Sequence, residues 1–294
     1  MPPPSAAFES KRATFSECAH EDVSDLSGDD TSYISIKYNT CNLDVMKFHT
    51  SNYTVEIDLQ SGKFGLHQNQ ISVFEKRLDD IARQDNSFWD ICSYRHGVLR
   101  YESETLIPAT TSKTKRNVLL VIGNPAILSV KNGMFFYSKS NGTRHGFWKK
   151  LAKAGLVKTV RKETRHAEAM VRRKMIVEGT ASDTYLTGLT TFYSFPTPGT
   201  DNASHSGAAG VETLFEPFLK KLRQMESQRI LSYPFIEGSI VVFTRKNSLK
   251  HFYNITGIKP VYWPIRGRGS DGEVLGKLIK RASPVTWHKD RLLK

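Results

Sequence analysis

One run constrains this chain more than any other: Asn117-Val118-Leu119-Leu120-Val121-Ile122-Gly123-Asn124-Pro125-Ala126. Its apolar stretch is rich in β-branched residues and has no alternating polar position to give to water. A strand of that kind must be covered on both faces, as in the parallel sheet of an α/β protein. Gly-Asn-Pro stops the strand and delivers one polar side chain, Asn124, to the rim of the sheet. Ligands of open α/β folds sit at that rim, outside the carboxyl ends of the strands.

The rest of the chain organises around this strand. Residues 1–32 are rich in Pro, Ser, Ala and acids and read as a disordered acidic tail. Residues 33–110 read as a β-rich accessory region, with strands at 33–38, 53–59 and 97–101. Residues 64–66 are expected to return on 53–59 as a hairpin. Ile71, Phe74, Leu78, Ile81 and Ala82 follow helical spacing. Beyond a polar linker at 111–115, residues 111–294 read as an α/β domain. A basic amphipathic helix is expected over about 145–154 with Gly155 closing it, then a strand at 185–193. Val211, Leu214, Phe215, Phe218, Leu219 and Leu222 share one helical face. Glu216 stands four residues before Lys220, the favoured order for a helical ion pair, and Pro217 strains that helix unless it lies in the first turn. A buried strand at 238–244, a short helix at 249–253 and a last strand at 258–263 complete the pattern. The alternation predicts a three-layer α/β sandwich with a mostly parallel central sheet.

Charge narrows the function. The formal net charge is +13, but the acidic tail carries −5, so the remainder carries +18. Residues 116–175 hold 14 Lys and Arg against Glu163 and Glu168, a net of +12. A field so concentrated favours a polyanion, and phosphate contacts supply most non-specific nucleic-acid affinity. The three cysteines, Cys18, Cys41 and Cys92, are distant and odd in number, which argues against a disulfide framework and against a four-cysteine metal site. No apolar run approaches a membrane span, and the first residues lack a secretory pattern. An intracellular monomer, in nucleus or cytoplasm, with no metal or cofactor, is the expectation. Ser204-His205-Ser206-Gly207 lacks the strand–turn–helix elbow of a nucleophile, and His251 and His288 show no metal or triad spacing.

The order of motifs resembles the uracil-DNA glycosylase superfamily over roughly residues 116–265. Ile122-Gly123-Asn124-Pro125-Ala126 is similar to its first motif, and Asn stands at the same place in its mismatch-specific branch. Gly133-Met134-Phe135-Phe136 resembles the Gly-rich turn and Phe that follow. Arg144-His145-Gly146-Phe147-Trp148-Lys149-Lys150-Leu151-Ala152-Lys153-Ala154-Gly155 looks like the superfamily's Phe-Trp-Lys helix. Three departures stand out. Ile122 replaces the leading motif glycine. The strand at 186–189 lacks a uracil-reading Asn. The late motif, His or Asn followed by Pro-Ser, is echoed only by Trp263-Pro264-Ile265-Arg266-Gly267-Arg268-Gly269-Ser270.

The resemblance implies excision of a flipped uracil, or another deaminated or mismatched base, from DNA. Asn124 would orient the attacking water through its amide oxygen. Because an amide is a poor base, turnover would be slow beside an Asp-type enzyme. Gly123, Pro125, Ala126, Phe135 and Phe136 would hold the base, one Phe facing the pocket and the other the core. Phe147 and Trp148 are assigned to packing. Arg144, His145, Lys149, Arg266, Arg268 and Ser270 are candidate DNA contacts, and Ile265 is the candidate apolar wedge. A catalytically silent nucleic-acid-binding relative is the alternative, and a small-molecule hydrolase a more distant third.

Overall fold

The computed structural model describes residues 52–59, 66–109, 112, 114–138, 143–199 and 205–286. The expected acidic tail, the strand at 33–38, Phe64, Cys18 and Cys41 lie outside the described residues. The chain first builds a three-stranded antiparallel sheet from β1 (Asn52–Asp58), β2 (Cys92–Arg95) and β3 (Val98–Glu104), with helix α1 (Gln68–Gln84) between the first two strands. Along β1 the residues alternate: Tyr53, Val55 and Ile57 are buried, while Glu56 and Asp58 are exposed. Of the expected return strand at 64–66, residues 64 and 65 lie outside the described residues. β1 pairs along its whole length with β3, and Leu66 is not in a strand.

The second sheet is all-parallel and contains β4 (Arg116–Ile122), β5 (Tyr185–Thr191), β6 (Ser239–Phe243) and β7 (Val261–Tyr262), in the order β5-β4-β6-β7. β4 is central, and its period-2 alternation shows why its sequence carries no polar face. Val118, Leu120 and Ile122 enter one core with α3 (Phe147–Lys153), α4 (Arg165–Val177) and α8 (Gly272–Arg281). Leu119 and Val121 enter the other with α2 (Ile127–Lys131), α5 (Gly207–Leu214), α6 (Leu219–Ser232) and α7 (Lys246–Thr256). This is the three-layer α/β sandwich. The second core also takes in Tyr53, Phe74, Leu99 and Tyr101 of the N-terminal sheet and α1, so the accessory layer and the parallel sheet share one apolar interior.

The junction between the sheets is a strand-edge contact. Leu106 and Leu189 exchange backbone hydrogen bonds at 2.8 and 2.7 Å, antiparallel to β5. That contact covers the outer edge of β5, whose seven residues are all buried, and an uncovered edge is a template for unwanted pairing. No helix among the described residues is long and apolar enough to cross a membrane.

Three local expectations are corrected. The amphipathic pattern at 211–222 is two helices: α5 ends at Leu214, a 3-10 turn holds Pro217, and α6 starts at Leu219. Proline lacks the donor that would continue the first helix, so the apolar face persists while the axis breaks. Glu216 pairs with Arg77 at 3.3 Å rather than with Lys220. The last strand is only Val261–Tyr262, and Trp263 is fully buried beyond it.

Candidate active site

The strand order fixes where a ligand can sit. From β4 the chain crosses to β5 on one side, and from β5 it crosses back to β6 on the other. The helices α3 and α4 follow β4 over one face, while α7 follows β6 over the opposite face. The crossovers to β5 and β7 thus cover opposite faces, while α2, directly after β4, packs on the α7 side. The carboxyl ends of β4 and β6 are the topological switch point, where open α/β sheets hold ligands in a crevice. Gly123 and Asn124 leave β4 there, and Arg245 leaves β6.

Asn124 is braced. Its Nδ2 donates to Thr197 Oγ1 at 2.7 Å and to Pro125 O at 3.0 Å. Thr197 Oγ1 also accepts the backbone N–H of Gly207, the first residue of α5, at 2.8 Å. The backbone beside it is pinned by Thr197 N to Pro125 O at 3.1 Å and Ile127 N to Thr197 O at 3.1 Å. The amide nitrogen is therefore fully engaged, and Oδ1 makes no hydrogen bond among the described residues. Gly123 keeps the approach narrow: a Cβ there would lie 3.3 Å from Ala208 Cβ and 3.8 Å from Arg245 Cδ. Pro125 is buried and Ala126 half-buried, with Ala126 bridged to Thr197.

The two phenylalanines differ in burial. Phe135 is 2 % exposed and belongs to the core of α3 and α4. Phe136 is half-buried, and its ring lies 4.1 Å from that of Phe147 and 4.6 Å from that of His145. Its backbone sits at φ 51°, the left-handed region that a bulky residue rarely adopts. Trp148 Nε1 holds this turn, donating to Phe135 O at 3.1 Å and Phe136 O at 3.3 Å. Strain of this kind costs about 1–3 kcal/mol and clusters at ligand sites. Phe147 and Trp148 are buried.

The basic candidates are placed unevenly. Lys149 is exposed on α3. His145 accepts the Phe147 N–H through Nδ1 at 3.2 Å, leaving its other ring nitrogen on the opposite edge. Arg144 donates from Nε to Glu168 at 2.9 Å and from Nη2 to Lys162 O at 3.2 Å. Burial pushes the Glu168 carboxyl up, but Arg144 and Arg172 together outweigh it and hold the carboxyl below its ordinary range. Two solvent-open hollows, of about 400 and 590 Å³, lie between Arg144 and the first turn of α4, beside Arg161, Lys162, Arg165 and His166. They belong to this basic face rather than to the strand-end crevice. In the loop after β7, Arg266 and Arg268 are exposed. Ser270 Oγ accepts Lys150 Nζ at 3.0 Å, and the same ammonium donates to Ile265 O at 2.6 Å. Ile265 is half-buried against the core.

Sequence reasoning missed a polar constellation on the far wall of the crevice. Tyr193, just past β5, donates its hydroxyl to Glu212 Oε1 of α5 at 2.9 Å and accepts Arg223 Nε of α6 at 3.1 Å. Glu212 also lies 3.8 Å from both Arg223 and Arg245. Burial pushes the Tyr193 hydroxyl up, so it remains a donor. Burial and then Arg223 lower the His251 imidazole behind them, so it is neutral at pH 7. The only local signal was Arg245 itself, a cation placed directly after an apolar strand. Among the described residues no three metal-ligating side chains cluster.

Fold and site together define a parallel α/β protein with polar side chains gathered at the carboxyl ends of its central strands. The chain matches no protein-family model and no curated protein.

Proposed function

We propose that the protein is a DNA glycosylase of the uracil-DNA glycosylase type, hydrolysing the N-glycosidic bond of a flipped uracil or another deaminated or mismatched base. The observation that carries this reading is the braced Asn124 amide, whose Oδ1 is left without a partner at the switch-point crevice. An acceptor fixed in that way can hold one water by a proton and aim its lone pair at C1′. The sugar gains positive charge as the bond breaks, as in glycoside hydrolysis, so a neutral amide suffices to position water but does little to deprotonate it. Phe136 offers a strained, half-buried ring for stacking, and base–aromatic stacking contributes about 1–3 kcal/mol. The basic face from Arg144 to His166 supplies the field for a DNA backbone. The protein would act as a monomer inside the cell, in nucleus or cytoplasm, without metal or cofactor.

A silent nucleic-acid-binding relative is the second reading. One observation favours it: Trp263 stands where the late polar group would be and is fully buried, so it offers the cleft no catalytic group. The test is base release from oligonucleotides containing U·G, U·A, single-stranded U, hypoxanthine and T·G, followed by alkali cleavage, with wild type beside Asn124→Ala. Release that disappears in the variant while DNA binding persists supports the glycosylase. Salt-sensitive DNA binding with no release from any lesion supports the silent relative.

A further inference from the structure

We infer that Arg245 is the group that takes the negative charge of the departing base, with Glu212 as its positioning residue; this rests on the glycosylase reading. Arg245 is the first residue past the Thr244 that continues β6, where Thr244 N donates to Val121 O at 3.0 Å. It therefore stands abreast of the end of β4. Its Cδ is 3.8 Å from where a Gly123 Cβ would be, so any larger residue at 123 would crowd its stem. The side chain is 28 % exposed, enough to be reached and too enclosed to be fully solvated.

Arg245 has five N–H donors, and among the described residues none of them makes a hydrogen bond. Its one partner is Glu212, a loose ion pair at 3.8 Å. By contrast Arg229, in the core beneath, makes bonds to Glu226, Tyr233, Thr190 and Thr191. A half-enclosed guanidinium whose donors are not taken up by protein acceptors, at the rim where ligands collect, is suited to binding an anion. Glu212 cannot swing freely to satisfy it, because Tyr193 holds Oε1 at 2.9 Å and Arg223 lies on the same oxygen. The carboxylate thus aims the guanidinium without consuming it.

The anion has a defined shape. As water adds, its oxygen bonds to C1′, the C1′–N1 bond breaks, and the electron pair passes to the base. That charge spreads over N1 and O2 of a pyrimidine, two adjacent acceptors in one plane, like the oxygens of a carboxylate. A guanidinium fork matches that edge, and a point-charge ammonium does not. The added water then loses a proton to solvent and the base anion takes one up, so one water is consumed overall. With Trp263 buried at the late motif and Arg223 engaged by Tyr193 and Glu212, Arg245 is the cation left for this role among the described residues at the strand ends.

The experiment is single-turnover release of uracil and of 5-fluorouracil from otherwise identical mispaired duplexes, for wild type, Arg245→Gln, Arg245→Lys and Glu212→Gln. Fluorine stabilises the pyrimidine anion, so that leaving group needs less help. Losing one preorganised donor to a developing anion slows a reaction about 100-fold or more. Arg245→Gln is expected to slow uracil release by that order and 5-fluorouracil release roughly tenfold less, at nearly unchanged DNA affinity. Arg245→Lys should keep the bias because it keeps charge without the fork, and it guards against a folding defect in the glutamine variant. Glu212→Gln should show a smaller loss with the same bias. Equal losses on both bases, or a loss confined to DNA affinity, overturn the assignment and make Arg245 a structural or phosphate-binding residue while leaving the glycosylase reading intact. A wild type that releases neither base overturns the assignment of Arg245 to a pyrimidine anion, and the glycosylase reading falls with it when hypoxanthine and mispaired thymine are retained too.

Discussion

Thr197 Oγ1 receives the Asn124 amide at 2.7 Å and the Gly207 backbone N–H at 2.8 Å. One hydroxyl thus decides which end of Asn124 faces the crevice and ties that choice to the start of α5. The acceptor role of Oδ1 depends on a residue 73 positions away.

Thr197→Val tests the dependence directly, because valine keeps the shape and removes the acceptor. The Gly207 N–H and the Asn124 amide both lose a partner, and each lost partner of this kind costs about 1–3 kcal/mol. We expect a lower melting temperature. Single-turnover base release should also fall by roughly 10- to 100-fold, since misplacing a positioned group by an ångström has effects of that order. Full release at reduced stability would show that Asn124 keeps its orientation without the hydroxyl.

Phe135 and Phe136 separate stability from binding. Phe135 is packed in the core, so Phe135→Ala should cost about 3–5 kcal/mol in unfolding free energy. Phe136 is half-buried on a strained backbone, so Phe136→Ala should cost less stability. It should weaken binding to an oligonucleotide with an uncleavable extrahelical base by about 1–3 kcal/mol. Urea unfolding and fluorescence anisotropy read the two effects; equal behaviour in both assays would count against a stacking role.

The parts legible in sequence were those in which one local pattern decides. The unbroken run at Val118–Ile122, ended by Gly-Asn-Pro, required a strand covered on both faces and placed Asn124 at its rim. Gly155 marked the end of α3 and adopts φ 78° there. Helix α4 was missed because its buried face includes Glu168 and Arg173, which read as solvent-facing charges. Helix α8 was missed because Gly272 and Gly276 weaken a helical pattern. They are small because α3 crosses there, and a Cβ at Gly272 would lie 2.2 Å from Lys150 O. The crevice wall was invisible for another reason. Tyr193, Glu212, Arg223 and Arg245 come from four separate segments, and only the return of β6 to the other side of β4 brings them together.

Glu104 gives a prediction in which pH is the variable. It ends β3, is 0 % exposed, and neither carboxyl oxygen has a hydrogen-bond partner among the described residues. Burial pushes this carboxyl well above its ordinary value, and the Arg173 guanidinium offsets only part of that. Folded Glu104 therefore keeps its proton over a pH range in which the unfolded chain has already released it. Within that range the unfolded state binds fewer protons, so stability falls as pH rises. The loss begins near the ordinary glutamate value and continues up to the raised one. Glu104→Gln imitates the protonated form at every pH. Its advantage over wild type should be small near pH 4.5 and then grow by at most about 1.4 kcal/mol per pH unit. Urea midpoints between pH 4.5 and pH 8 measure the difference. A difference that stays flat with pH would mean that Glu104 is ionised in the fold and that Arg173 compensates its burial in full.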